Sequence, residues 1–339
     1  LQYRNVCIEA VAHVLPSRVV PSTELETRLA GTLKRIGLPP GQLERLSGVR
    51  ERRYWDAGTR PSTVSAMAAE KVMAKAGWRP QDVDGLINSS VSRDYLEPAT
   101  SALIAGELKL GHRLISFDVT NACVGFLNGM HLLANLIELG QVERGLVVCA
   151  ETVTEGCEAT LDRLASPTAT AQDFRDNFAT LTLGCGAAAF AMCHRSVSRS
   201  GHSLYGAVIR NAPEHNQLCL GSYHEMKADA HGLLVHGVGL AVETWPYAVA
   251  ELGWEDPSAV DVVVGHQVSL AHFQSIFQKI GQPVEKALLT LPYLGNCGPT
   301  SVPLTLSLGV QQGQVRPGQN VCLWAVGSGL SCAIMGVRW

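Results

Sequence analysis

Apolar runs of strand length alternate along this chain with amphipathic stretches of helix length. That alternation constrains the fold more than any other feature. VDGLINSS (83–90), LISFDVT (114–120) and GLVVCAE (145–151) have the length and β-branched content of short buried strands. Between them, VSAMAAEKVMAKAG (64–77) and VGFLNGMHLLANLIEL (124–139) carry helical periodicity. Gly77 is a C-terminal stop for the first, with Pro80 close behind. Strand–helix–strand order with short connections predicts an α/β architecture with helices packed on sheet faces.

The rhythm breaks at 152–180, which is more polar and carries a Ser-Pro-Thr turn, and reads as a surface excursion between two halves. It then resumes. GCGAAAFAMC (184–193) and SLYGAVIR (203–210) read as strands, 238–252 as a helix, VVVGHQ as a strand end and 269–280 as a helix. VCLWAVGSGL and SCAIMGVRW close the chain as two apolar strands around a Gly-Ser-Gly turn. No strong internal repeat is visible.

Composition narrows the class of protein. Among 339 residues, 46% are hydrophobic and 17% charged, which suits a globular chain with a large core. The formal net charge of −3, without a Lys/Arg block, offers no electrostatic footprint for nucleic acid or an anionic membrane. No uninterrupted apolar run approaches the roughly 18 residues that span a bilayer, and LQYRNVCIEA lacks the layout of a signal peptide. A soluble cytoplasmic protein is therefore expected. The ten cysteines form no CxxC pair and fall largely in apolar stretches, as free core thiols do in a reducing compartment. No HExxH or Cys/His finger spacing points to a metal.

Four places could carry chemistry. Cys123, in DVTNACVGFLNG, falls where an apolar strand passes through a polar turn into a helix, so the helix dipole would favour its thiolate. By location alone, one more core cysteine among ten is the favoured reading. His266, in VDVVVGHQVS, sits on a loop after a β-branched strand, where α/β proteins place their sites. Asn296, in YLGNCGPTSVP, lies between glycines before a helix start, a pattern that plain turn chemistry also produces. Gly327–Ser328–Gly329 is either an ordinary hairpin or a source of backbone N–H donors for an oxyanion.

Taken together and in this order, NACVGF, GHQVS, GNCGPTSVP and the C-terminal GSGLSC resemble the thiolase superfamily of condensing enzymes, in its ketoacyl synthase III-like branch. SGVRERRYW (47–55) is similar to that branch's N-terminal segment, so the resemblance covers essentially the whole chain. It implies a five-layered αβαβα thiolase fold of two similar halves, here 1–175 and 176–339, normally in a homodimer. It implies Cys123 as acyl-accepting nucleophile, His266 and Asn296 as the polar pair beside it, and the backbone N–H groups of Cys123 and Ser328 as the oxyanion hole.

SRDYLEPAT (92–100) further resembles the segment found in OleA-type enzymes, which start long-chain olefin synthesis. In that family the glutamate, here Glu97, reaches across the dimer into the partner's site. The chemistry explains the need for a carboxylate. A decarboxylative ketosynthase obtains its carbanion by losing carbon dioxide, whereas joining two ordinary acyl thioesters requires a base at the α-carbon. By spacing alone Glu97 would be an exposed loop residue before a proline.

The implied activity is acyl-CoA:acyl-CoA condensation to a β-keto acid, the first step toward olefins or related β-lactones and ketones. No metal or redox cofactor is implied. The partners are acyl-CoA substrates, a second copy of the chain, and downstream enzymes. The alternatives are a decarboxylative synthase using malonyl-acyl carrier protein, and a non-catalytic partner subunit, which would not need to keep Cys123, His266 and Asn296.

Several features point elsewhere or stay open. GCGAAA (184–189) fits a loose dinucleotide fingerprint but runs into a strand, so close strand packing is expected. Asn88-Ser89-Ser90 is a formal glycosylation sequon inside an expected buried strand. There is no GxSxG elbow for a serine hydrolase. Cys297, beside Asn296, would either crowd the pocket or be open to oxidation. Arg50, Arg52 and Arg53 are either phosphate ligands or a solvated face.

Overall fold

Nine strands form one hydrogen-bonded sheet in the computed structural model, which describes residues 2–222 and 225–339. From one edge the order is Val262–Gly265, Asn320–Gly327, Ser331–Arg338, Ser203–Asn211, Val6–Val14, Gly186–His194, Arg144–Glu151, Gly85–Asn88 and Ile115–Asp118. The join in the middle is slight. Val6–Val14 meets Ser203–Asn211 through the pair Cys7 and Ser203, whereas Gly186–His194 is registered along its whole length. The strands therefore fall into two groups, and Gly186–His194, although it follows residue 175, belongs to the N-terminal one.

Helices fill three further layers. Pro61–Ala76 and Thr100–Glu107 cover the outer face of the N-terminal strands. Gly125–Glu138 and Ser301–Gln311 each touch strands of both groups and form the middle layer. Ala230–Leu252 and Leu270–Ile280 make the layer beyond the C-terminal strands. The result is the expected five-layered αβαβα order. The central core joins both groups through Phe126, Met130 and Leu133 of one middle helix and Val302 and Leu306 of the other. Strands covered on both faces read as continuous apolar runs rather than alternations, and Gly186–His194 is buried from Gly186 to Cys193.

Four expectations change. The strand Ile115–Asp118 lies at the sheet edge with Ile115 39% exposed, so it is not a buried strand. Residues 152–180 are not a plain surface excursion: Thr154–Ala165 and Ala171–Asn177 are helices. They bury Cys157, Leu161, Leu164 and Phe174 against Val20, Leu25, Leu29 and Tyr54 in a core of their own. The helix expected at 238–252 starts at Ala230, where the Asp229 carboxylate accepts the Gly232 N–H at 2.9 Å; Gly232, Gly237 and Gly239 blur its pattern in the sequence. By length and composition this helix could cross a membrane, but Leu240, Ala241, Trp245 and Ala248 are buried against the sheet. Lastly, Arg52 is fully buried, donating to the backbone oxygens of Val20 and Leu181, and Arg53 donates to that of Pro16. These two arginines tie chain segments together and form neither a phosphate cluster nor a solvated face.

Gly184 shows why the GCGAAA glycines are there. A Cβ at this position would lie 1.9 Å from the backbone oxygen of Leu294. The close approach lets the Gly184 N–H donate to the Asn296 backbone oxygen at 2.9 Å. Close packing, not a dinucleotide turn, is the reason for this glycine. Asn88, Ser89 and Ser90 are buried, as expected.

Candidate active site

Cys123, His266, Asn296 and Ser328 come from four separate turns and line one cavity of about 830 Å³. The volume is in the range of sites that enclose organic ligands. Each residue arrives by a local rule. Cys123 stands just ahead of the middle-layer helix Gly125–Glu138, and the residue before it, Ala122, has φ +43°. A non-glycine residue with positive φ is strained and persists where its surroundings fix it, often at functional sites. His266 follows the strand Val262–Gly265, and its N–H donates to the Trp324 backbone oxygen at 2.7 Å. Asn296 is held through its backbone, with its N–H donating to the Thr182 oxygen at 2.9 Å. Its side-chain oxygen accepts the Gly298 N–H at 2.9 Å, which leaves the amide NH₂ as the donor it can present.

The turn after Asn320–Gly327 closes on the nucleophile. A Cβ on Gly327 would lie 3.1 Å from the Cys123 backbone nitrogen and 3.2 Å from that of Val124. This tight approach sets the Gly327–Ser328 turn against the Cys123 backbone, and all three residues line the cavity.

The electrostatics differ from the thiolate expectation. Burial pushes the Cys123 thiol up to about 12, with Cys219 and Glu151 adding to the rise and the residue's own N–H opposing it. A helix terminus is worth about 0.3–1 kcal/mol, whereas one pKa unit is about 1.4 kcal/mol and burial can shift a group by several units. Desolvation therefore wins, and Cys123 rests as a neutral thiol. His266 is pulled down to about 4, first by burial and then by His272, while the Gly298 backbone pulls the other way. Neither His266 ring nitrogen completes a hydrogen bond within the described residues. A neutral imidazole, with the Gly298 backbone beside it, thus shares the cavity with a neutral thiol.

Glu97 is not brought to these residues. It is exposed and does not line the cavity, although Arg93, Asp94 and Leu96 of the same segment do. Leu96 is 80% exposed and Tyr95 47%. Cys297 also points away: it is buried among Ala188, Leu294 and Leu304, so it does not crowd the pocket.

Three cavity residues escaped the sequence reading. Cys219, on the short strand Cys219–Gly221, faces Cys123 closely enough to raise its pKa. His272 lies within the first turn of Leu270–Ile280 and is pulled down to about 4 by burial. Glu151 ends the strand Arg144–Glu151, buried, and burial pushes it up to about 7. Its only sequence signal is a carboxylate at the carboxyl end of an apolar strand.

Residues 117–211 match the 3-oxoacyl-(acyl-carrier-protein) synthase III family, and residues 250–339 match its C-terminal region. An acyl-CoA:acyl-CoA alkyltransferase of Xanthomonas campestris pv. campestris is 37% identical over 337 residues, covering 99% of each chain. One of the same description from Shewanella oneidensis is 37% identical over 352 residues, covering both chains fully. A crystal structure of a cysteine-to-serine variant of Xanthomonas campestris OleA, with bound lauric acid and lauroyl-CoA, superposes with a TM-score of 0.97. It is 37% identical and covers 99% of this chain and 100% of that one.

Proposed function

Given that the chain belongs to the OleA-type acyl-CoA condensing enzymes of the thiolase superfamily, we propose that Cys123, His266, Asn296, Ser328 and a partner's Glu97 carry its reaction. The chain is an acyltransferase that condenses acyl-CoA thioesters.

In the first half-reaction the Cys123 sulfur attacks an acyl-CoA carbonyl. The thiol is protonated at rest, so its proton moves to the neutral His266 imidazole as the bond forms and then to the departing CoA thiolate. The N–H groups of Cys123 and Ser328 hold the oxyanion. In the second, a carboxylate takes the α-proton of another acyl-CoA, and His266 and the Asn296 amide hold the enolate oxygen. The enolate carbon attacks the Cys123 thioester, and the carbon–sulfur bond breaks to release a β-ketoacyl-CoA and the Cys123 thiolate, which takes up the proton held by the carboxylate, so thiol and base are both restored. Water then cleaves that thioester, so two acyl-CoA and one water give one β-keto acid and two CoA. The scheme uses CoA thioesters and the chain's own groups, without a metal or redox cofactor.

The base is Glu97 of the partner subunit in a homodimer. The observation that carries this is the mismatch within one chain: the cavity holds nucleophile, histidine and asparagine, while Glu97 sits outside it on an exposed tip flanked by Tyr95 and Leu96. The edge strand Ile115–Asp118 supports the same dimer, since unpaired, partly apolar edges invite a second copy. The protein works in the cytoplasm and passes its β-keto acid to downstream enzymes. In Glu97→Gln, Cys123 should be acylated at the normal rate while condensation fails. Normal condensation by that variant would refute the assignment of the base.

A further inference from the structure

The segment that carries Glu97 is held at three points. At its far end the Asp118 carboxylate accepts the backbone N–H groups of Thr100 and Ser101, each at 2.8 Å. In its middle the Asp94 carboxylate accepts the Ser62 N–H at 3.1 Å and the Ser62 hydroxyl at 2.7 Å. At its near end Glu151 accepts the Val91 N–H at 2.7 Å, the Ser92 N–H at 3.2 Å and the Ser92 hydroxyl at 2.7 Å. Between the middle and far anchors residues 95–99 are exposed.

Glu151 differs from the other two anchors in being buried, at 3% exposure, and in standing against the nucleophile's surroundings. It lines the cavity with Cys123, and a Cβ on Gly298, next to Asn296 in the chain but for one residue, would lie 3.6 Å from its Cγ. The strand end and the segment are stitched further, since the Ala150 N–H donates to the Ser90 hydroxyl and the Thr152 N–H to the Ser92 hydroxyl. A charged acceptor in such a place costs desolvation. Both carboxylate oxygens are engaged by loop donors, Oε1 by one and Oε2 by two. Val91 and Ser92 thus hang from a group anchored in the floor of the cavity.

We infer that Glu151 is a positioning residue, holding the Glu97-bearing segment at the register in which Glu97 can serve the condensation step. The inference rests on the reading of Glu97 as base. The titratable groups facing Glu151 are the thiols of Cys123, Cys149, Cys185 and Cys297, each raised by burial. Burial also brings Glu151 to about 7. Below that pH it gains a proton and turns one acceptor into a donor facing donors, so the segment loosens on the acid side. Acylation of Cys123 does not need the segment, and loss of the nearby negative charge would ease it, because Glu151 raises the Cys123 pKa.

The test compares Glu151→Gln, Ser92→Ala and Glu97→Gln in the full-length chain with one saturated acyl-CoA, following acylation of Cys123 by mass and condensation by product. In Glu151→Gln, acylation should hold or quicken, kcat for condensation should fall about 10- to 100-fold, as misplacement by an ångström can do, and the acid limb near pH 7 should vanish. Ser92→Ala removes a hydrogen bond that lowers the Glu151 pKa, so its acid limb should move to higher pH. Normal condensation by folded Glu151→Gln, or equal loss of acylation and condensation, overturns the inference. If Glu151→Gln does not fold, an unmoved limb in Ser92→Ala overturns it. Normal condensation by Glu97→Gln overturns the base itself; failure of Glu97→Gln beside normal Glu151→Gln overturns only the positioning role.

Discussion

Replacing Gly184 by alanine should damage the site from behind. The new methyl would lie 1.9 Å from the Leu294 backbone oxygen. Nonbonded carbon and oxygen need more than 3 Å, so backbone must give by about 1 Å, since no flexible side-chain end is there to yield. Overpacking of this kind costs about 1–3 kcal/mol, and a backbone clash belongs at the upper end. The segment that must move is Leu294–Gly295–Asn296, held by the two backbone hydrogen bonds to Thr182 and Gly184. Displacing Asn296 by about 1 Å should lower condensation by about 10²-fold. Urea denaturation gives the stability change, and product formation at saturating acyl-CoA gives the rate. A Gly184→Ala protein within about 0.5 kcal/mol of wild type, with condensation within twofold, would refute the claim that this close approach sets Asn296.

Cys123→Ala should fold, since the swap removes little buried volume, and should show no acyl adduct; an adduct on Cys219, which shares the cavity, would reassign the nucleophile. A verified heterodimer of Glu97→Gln with Cys123→Ala holds one site with both groups and one with neither, so it should regain about half of wild-type activity; no regain would place Glu97 in its own subunit's site. Acid should destabilise the fold. His13, His266 and His272 each drop from 6.5 to about 4 by burial, so the unfolded chain binds more protons between those values and stability falls as pH falls from 6.5 to 4. Glu151, raised from 4.5 to about 7, opposes them with one proton against three. The urea midpoint measured across that range should fall with acid, and less steeply in His13→Gln; a flat profile would contradict the buried neutral histidines.

Periodicity made the layers legible because strands buried on both faces and helices between sheets leave continuous or 3.6-residue apolar patterns. It failed where tertiary packing overrode local polarity. The segment 152–180 is polar on average yet buries Leu161 and Phe174, because half of each helix faces residues 20–54. The site's nucleophile, histidine, asparagine and glycine turn each sit at the end of a recognisable element. The protonation of Cys123 was not legible, because burial is a property of the assembled layers and outweighs the local helix dipole. Glu151 was missed for a related reason. Its donors lie about 60 residues earlier in the chain, and no one-dimensional spacing links a strand's last carboxylate to a loop that distant. Arg52 likewise reads as a surface cation until the backbone oxygens of Val20 and Leu181 close around it.

The most direct test of the central claim is a balance of products from a single saturated acyl-CoA with no malonyl thioester present, together with the mass of the protein during turnover. Condensation by the route described predicts one β-keto acid for every two CoA released, no carbon dioxide in the condensing step, and an acyl adduct on Cys123 that decays as product appears. Product formed only when a malonyl thioester is added, with one carbon dioxide per turn, would contradict it.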